Sequence, residues 1–332
     1  MRATRCPPVT AHPARGRFGR SAKSLACHAL LAALLSGCAL VPAPPPAIAR
    51  GADLPAQAEL ADVPFFADDR DECGPATLAA ALGFAGAPRS VQQLADQVYL
   101  PQRQGALQPE MLAAVRRAGL VAYRLRPELR TLLAEVAGGL PVVVLQNLRL
   151  DAWPRWHYAV VVGYDLDRGE LVLRSGTHER LTVSLAQFDR TWSKSGRWAF
   201  VAVPAGRMPA TAAEDDYVAA AAALERTDAP AARAAYDLAL ARWPQDLVAR
   251  IGLGNLAYGA RDLPGAQAQY RQATREHPDS GDAWNNLAQV LLEQGEIAQA
   301  RDCARKAVGL GGPRADDYRE TLRAIEQHPG AP

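Results

Sequence analysis

A 34-residue period runs through the C-terminal part of this chain and limits what that part can fold into. Ala232, Ala266 and Ala300 stand 34 apart, and so do Ala239, Ala273 and Ala307. Tyr236 recurs as Tyr270, with Ala304 in the third slot. Pro244 recurs as Pro278, with Gly312-Pro313 in the third, and Leu253-Gly254 recurs as Leu287-Ala288. A period of this length is one helix–turn–helix unit that cannot bury its apolar face alone and must stack on its neighbours. Small residues at fixed positions let antiparallel helices approach closely, and proline closes each unit.

This pattern resembles tetratricopeptide repeats, with units at 213–246, 247–280 and 281–314 and a capping helix over 316–327. The first unit is the least typical, with Asp216 and Ala219 where the repeat usually has Trp and Leu. The resemblance implies an array that docks a protein partner.

The N-terminus reads as a targeting segment, residues 1–37. Arg15, Arg17, Arg20 and Lys23 precede the apolar run Leu25–Leu35, which is too short for a stable membrane-spanning helix. Leu35-Ser36-Gly37-Cys38 then resembles a bacterial lipobox. The resemblance implies that Cys38 is the lipid-attachment residue and the first mature residue, and that the protein faces the periplasm from the cell envelope. Ala39, in place of Asp, implies the outer membrane. Residues 38–61, with Pro42, Pro44, Pro45 and Pro46, read as a semi-rigid tether. Once Cys6 and Cys27 leave with the signal and Cys38 is acylated, the remaining thiols are Cys73 and Cys303. They fall in different domains, which argues against a disulfide. Cys303, on an alanine-rich helical face, reads as a small apolar core residue.

Residues 62–204 have a different grammar. Helical patterns come first, at Pro75–Phe84, from a capping box at Ser90 through Tyr99, at Pro109–Ala118 and at Glu128–Ala137. Strand patterns follow at Val142–Leu145, Tyr158–Tyr164, Glu170–Leu173 and Trp198–Val203, with a short helix at Leu185–Thr191. Helices followed by antiparallel strands make an α+β domain. Pro204–Ala212 has no periodicity, so 205–212 reads as a linker to the all-α repeat domain at 213–328.

The chemistry concentrates at Cys73-Gly74-Pro75-Ala76, where an apolar helix begins, and at Trp156-His157-Tyr158, which opens a strand. The positive end of a helix dipole favours a thiolate, and an imidazole beside it completes a nucleophile–base pair. Val63-Pro64-Phe65-Phe66 ahead of the cysteine and His157–Asp165 after it complete a resemblance to the bacteriocin-processing, papain-like cysteine peptidases that cut after Gly-Gly, and to their stand-alone lipoprotein relatives with C-terminal repeats. The resemblance implies Cys73 as nucleophile, His157 as general base and a peptide or protein as substrate.

Two positions depart from that family. Asp68 and Ala67 stand where a glutamine usually donates to the oxyanion, and ionised Asp can only accept. Leu173-Arg174-Ser175-Gly176 stands where an Asp usually orients the histidine. Ser175 is a candidate orienting residue, and Gln146 (or Asn147) a candidate substitute donor. Asp165, Asp167 and Asp189 have no place that the sequence fixes. The acids Asp69, Asp71 and Glu72 fit a helix N-terminus, or a rim selecting basic peptides.

Lys+Arg 37 against Asp+Glu 35, with no basic block, offers no footprint for nucleic acid. No phosphate-binding loop marks a nucleotide site, and nothing calls for a metal or a cofactor. Three readings stay open: a thiol peptidase, a catalytically weak peptide-binding scaffold on the same fold, and acyl transfer other than hydrolysis.

Overall fold

The computed structural model describes residues 54–68, 72–103 and 105–328. The targeting segment 1–37, the lipobox with Cys38, most of the 38–61 tether and the acids Asp69 and Asp71 lie outside the described residues.

Four helices come early: α1 (Cys73–Phe84), α2 (Val91–Val98), α3 (Gln108–Arg117) and α4 (Leu129–Ala137). Ser90 accepts from Gln93 N while the Gln93 side chain accepts from Ser90 N, so the capping box forms as its residues require. α1 is apolar all round and is buried from Gly74 to Leu82, as a helix at the centre of a domain must be.

The strands are β1 (Gln57–Glu59), the two-residue pair β2 (Tyr99–Leu100) and β3 (Gly105–Ala106), β4 (Leu120–Arg124), β5 (Val142–Asn147), β6 (Trp156–Asp165), β7 (Glu170–Ser175), β8 (His178–Ser184) and β9 (Ala199–Pro204). A seven-stranded antiparallel sheet runs β4-β9-β5-β6-β7-β8, and β1 pairs with the second half of β6. Three of these strands carry no clear sequence signal. β8, with its exposed and intermediate residues, is a polar edge; β4 sits between two helices; β1 lies in the segment read as tether. The folded domain therefore begins before residue 62, because β1 closes the side of β6 that β5 leaves open. Gly163 permits this approach, since a Cβ there would stand 2.9 Å from the Ala58 carbonyl oxygen.

The sheet has two apolar faces, as its period-2 alternation dictates. Val143, Tyr158, Val160, Val162 and Phe200 pack against α1, α2 and α3. Val142, Val144, Ala159, Val161 and Val201 share the opposite core with α4, with α5 (Leu185–Trp192) and with the first repeat helices.

The repeats form three helix pairs: α6 (Glu214–Ala222) with α7 (Ala229–Arg242), α8 (Leu247–Gly259) with α9 (Leu263–Glu276), and α10 (Gly281–Glu293) with α11 (Ile297–Leu310). α12 (Ala315–Glu326) caps them. Tyr217 of α6 stacks near Tyr123 of β4, with ring centroids 6.4 Å apart. That contact explains the atypical first unit: its leading helix covers a β-sheet rather than another repeat. Asp216, in the usual Trp position, pairs with Arg126 at 3.3 Å.

Residues 205–212 are fastened rather than free. The fully buried Glu135 carboxylate accepts from Ala210 N (3.1 Å), Thr211 N (2.7 Å) and Thr211 Oγ1 (2.6 Å). Tyr123 Oη donates to the Thr211 carbonyl at 3.2 Å and accepts from Ala213 N at 3.1 Å. Among the described residues, no helix is long and apolar enough to cross a membrane.

Candidate active site

Cys73 is the first residue of α1. Its neighbour Gly74 allows β3 to pass close by, since a Cβ on Gly74 would stand 2.7 Å from the Ala106 Cβ. Thr77 Oγ1 donates to the Cys73 carbonyl at 2.8 Å and to the Gly74 carbonyl at 2.9 Å, fixing the first turn. Glu72, the N-cap residue, makes no side-chain cap bond, but its N–H donates to the Asp68 carboxylate at 2.9 Å. The positive end of the helix dipole and the Asp68 charge therefore act on the thiol in opposite senses.

His157 lies on β6, next to the end where that strand begins. Its imidazole nitrogen, the Cys73 sulfur and an Asp68 carboxylate oxygen all lie within 4.8 Å of one another. Nε2 of His157 and Oγ of Ser175 are 2.8 Å apart. Ser175 thus engages one ring nitrogen, with donor and acceptor roles set by the imidazole tautomer. The backbone N–H of Tyr158 reaches the Cys73 sulfur at 3.5 Å. Burial lowers the His157 pKa below its ordinary value; Asp68 raises it and Arg155 lowers it.

Asp68 is held by two backbone bonds. Its Oδ1 accepts from Glu72 N at 2.9 Å, and its own N–H donates to the Gly176 carbonyl at 3.0 Å. The carboxylate is therefore fixed next to the Cys73 thiol, where it accepts and does not donate. The chain leading to it is pinned by the buried Arg174, which donates to the carbonyls of Val63 (3.3 Å), Ala61 (3.0 Å) and Glu179 (2.5 Å). In this chain Arg174 anchors the segment in front of the site.

A cleft of about 850 Å³ opens over these groups. Cys73, His157, Ser175 and Asp68 line it together with Trp156, Leu107, Leu148, Arg103, Arg155, His178 and Lys194. The sequence reading did not name the basic residues of this lining. They come from separate elements and share no periodicity; only Arg155, two residues before His157, stood near a recognised motif.

Gln146 is not an oxyanion donor. It is opposite His157 in the β5–β6 register, but its amide donates to Thr191 Oγ1 at 2.6 Å and it stands outside the cleft lining. α5 on that face of the sheet claims the side chain. Asn147 is committed too: its carbonyl oxygen accepts from Arg149 N and Arg155 N, both at 3.0 Å, shaping the 148–155 loop. Asp189 pairs with Arg197 at 2.8 Å, and Asp165 organises the β6–β7 turn through Asp167 N and Arg168 N. None of these carboxylates orients His157. Cys303 packs half-buried in the repeat core, where burial pushes its thiol up to about 11, far from a reactive range.

Residues 55–200 match the model of the Peptidase_C39 like family, and residues 251–318 match a tetratricopeptide repeat model. No curated protein matches the chain at a significant level. Among solved structures, a putative C39-like peptidase from Bacillus anthracis is similar at 18% identity, covering 46% of this chain and 98% of its own, with a TM-score of 0.38. A type III secretion translocator chaperone of Yersinia enterocolitica is similar at 18% identity, covering 37% of this chain and 96% of its own, with a TM-score of 0.32. The chain carries a Peptidase_C39-like domain followed by tetratricopeptide repeats, which are protein-interaction modules.

Proposed function

We propose that the protein is a cysteine peptidase of the bacterial cell envelope, anchored by lipid on Cys38, whose repeats recruit a protein substrate or partner. The observation that supports this most is the sulfur–imidazole pair of Cys73 and His157, within 4.8 Å and lining an open cleft. In this reading Nδ1 of His157 takes the thiol proton, and the thiolate attacks the peptide carbonyl. His157 then protonates the leaving amine, and water releases the acid from a thioester. In this reading Ser175 Oγ accepts from Nε2–H, one of the two arrangements the 2.8 Å contact allows, and Nδ1 carries the lone pair the first step needs. Burial lowers the imidazole pKa and keeps it a base at neutral pH.

Asp68 opposes a developing oxyanion. Arg103 and Arg155, which also line the cleft, supply compensating positive potential. The same charges favour neutral or acidic peptides over basic ones. The lipid anchor, the periplasmic orientation and the outer membrane follow from the lipobox resemblance alone.

The test is a thiol-directed activity probe followed by turnover of a peptide with a Gly-Gly cleavage site. Labelling of Cys73 that is lost in His157→Ala, together with hydrolysis lost in both Cys73→Ala and His157→Ala, is the expected result. Equal labelling with and without His157, and no turnover, would instead assign the fold to peptide binding. Asp68 is the observation that favours that second reading, because a carboxylate stands where an amide donor is needed.

A further inference from the structure

Asp68 is unsuited to oxyanion stabilisation, but the same carboxylate completes a different kind of site. Three elements converge: the segment before α1 brings Asp68, the first turn of α1 brings Cys73, and β6 brings His157. Each offers one ligand atom, and the three atoms lie within 4.8 Å of one another in half-buried surroundings. We infer that Asp68, Cys73 and His157 form a binding site for a divalent zinc ion, which holds the thiol in an unreactive state until the metal is withdrawn.

The donor set selects the metal. Thiolate and imidazole disfavour Mg²⁺ and Ca²⁺, and one sulfur, one nitrogen and one oxygen suit Zn²⁺. Zinc bonds of about 2.0–2.3 Å place tetrahedral ligands about 3.3–3.7 Å apart, so each atom needs to shift by no more than about 1 Å. Three protein ligands with the fourth position facing the cleft is the open arrangement, which water fills.

The surroundings are already those of metal ligands. Ser175 Oγ lies 2.8 Å from Nε2 of His157, placed to accept from Nε2–H in the tautomer whose unprotonated Nδ1 binds metal. Glu72 N donates to Asp68 Oδ1 at 2.9 Å, and Tyr158 N donates to the Cys73 sulfur at 3.5 Å. Binding proceeds with loss of one proton: Cys73–SH gives it to solvent as the sulfur–zinc bond forms, while Asp68 enters as carboxylate and His157 as neutral imidazole. One thiolate and one carboxylate neutralise the two charges of the ion.

Cobalt(II) titration of the intact protein tests this without relying on peptide hydrolysis. One equivalent is expected to raise a thiolate-to-cobalt charge-transfer band that zinc removes. The band should vanish in Cys73→Ser and persist in Cys303→Ala. Asp68→Asn should weaken cobalt affinity at least about tenfold, and His157→Ala provides the same check should Asp68→Asn fail to fold. Zinc should also block alkylation of Cys73, and a chelator should restore it. No band while Cys73 remains open to alkylation, a band indifferent to Asp68→Asn and His157→Ala, or zinc that accelerates hydrolysis would each overturn the inference. Failure here leaves the thiol peptidase reading intact. A cobalt band without any peptide turnover would do the reverse.

Discussion

Ser175→Ala isolates the contribution of the group that stands in for the missing acid. The substitution removes one hydroxyl and with it the 2.8 Å contact to His157 Nε2. Ser175 is only half-buried, so truncation opens no large cavity. A neutral side-chain hydrogen bond contributes about 0.5–1.5 kcal/mol net, which is roughly two- to thirteenfold in rate. Loss of a buried acid from a triad has far larger effects, because the acid stabilises the imidazolium as well as orienting it. The assay is the second-order rate of Cys73 alkylation by iodoacetamide across pH, with mass spectrometry of the Cys73 peptide to exclude Cys303. Ser175→Ala should slow the reaction by that factor, and Ser175→Thr should restore it. Ser175→Asp should accelerate it by a further factor of about five, because a charge-assisted bond is about twice as strong, and should raise the His157 pKa. A rate in Ser175→Ala within twofold of the parent and no titration change in Ser175→Asp would refute the orienting role. A fall beyond about a thousandfold in a folded variant would refute the magnitude.

The titration of His157, followed by NMR in a Cys73→Ala background so that the thiol does not couple to it, should lie below its ordinary value. Asp68→Asn should move it further down and Arg155→Gln should move it up, because the carboxylate stabilises the imidazolium and the guanidinium opposes it; shifts of the opposite sign would contradict the geometry. Glu135→Ala leaves the buried N–H groups of Ala210 and Thr211 without their acceptor. It should cost about 1–3 kcal/mol for each donor left unsatisfied, read from urea unfolding, and a total change under about 0.5 kcal/mol would show that the 205–212 segment is not fastened there. Gly254→Ala would put a methyl 2.3 Å from Tyr270 Cε1. The expected loss is about 1–3 kcal/mol, partly recovered by adding Tyr270→Leu, and the melting temperatures of the single and double variants decide it.

The helices were legible because their signals are local. The capping box at Ser90, the proline in the first turn of α1 and the 34-residue alignment of Tyr236 with Tyr270 all act within a turn or a repeat. Strands β5, β6 and β9 were legible because buried strands read as short β-branched runs. β8 was not: it lies at the sheet edge with His178, Glu179 and Arg180 exposed, so its pattern is that of a loop. β1 was not either, because a three-residue strand has too few positions to show a period.

At the site, residue identity settled which atoms can do chemistry, and only folding settled which of them meet. Cys73 and His157 announced themselves by their contexts, a helix start and a strand start. Ser175 as an orienting residue and Gln146 as an oxyanion donor were both open in one dimension. Antiparallel register gives each strand residue a face, and neighbouring helices then claim side chains on it. Thus Thr191 takes the Gln146 amide, while the β7–β8 turn delivers Ser175 to the imidazole. Local patterns are enough to identify a two-part chain with a thiol, an imidazole and a repeat array. Folding assigns their partners, because contacts between residues 68, 73, 157 and 175 depend on sheet pairing that no local pattern encodes.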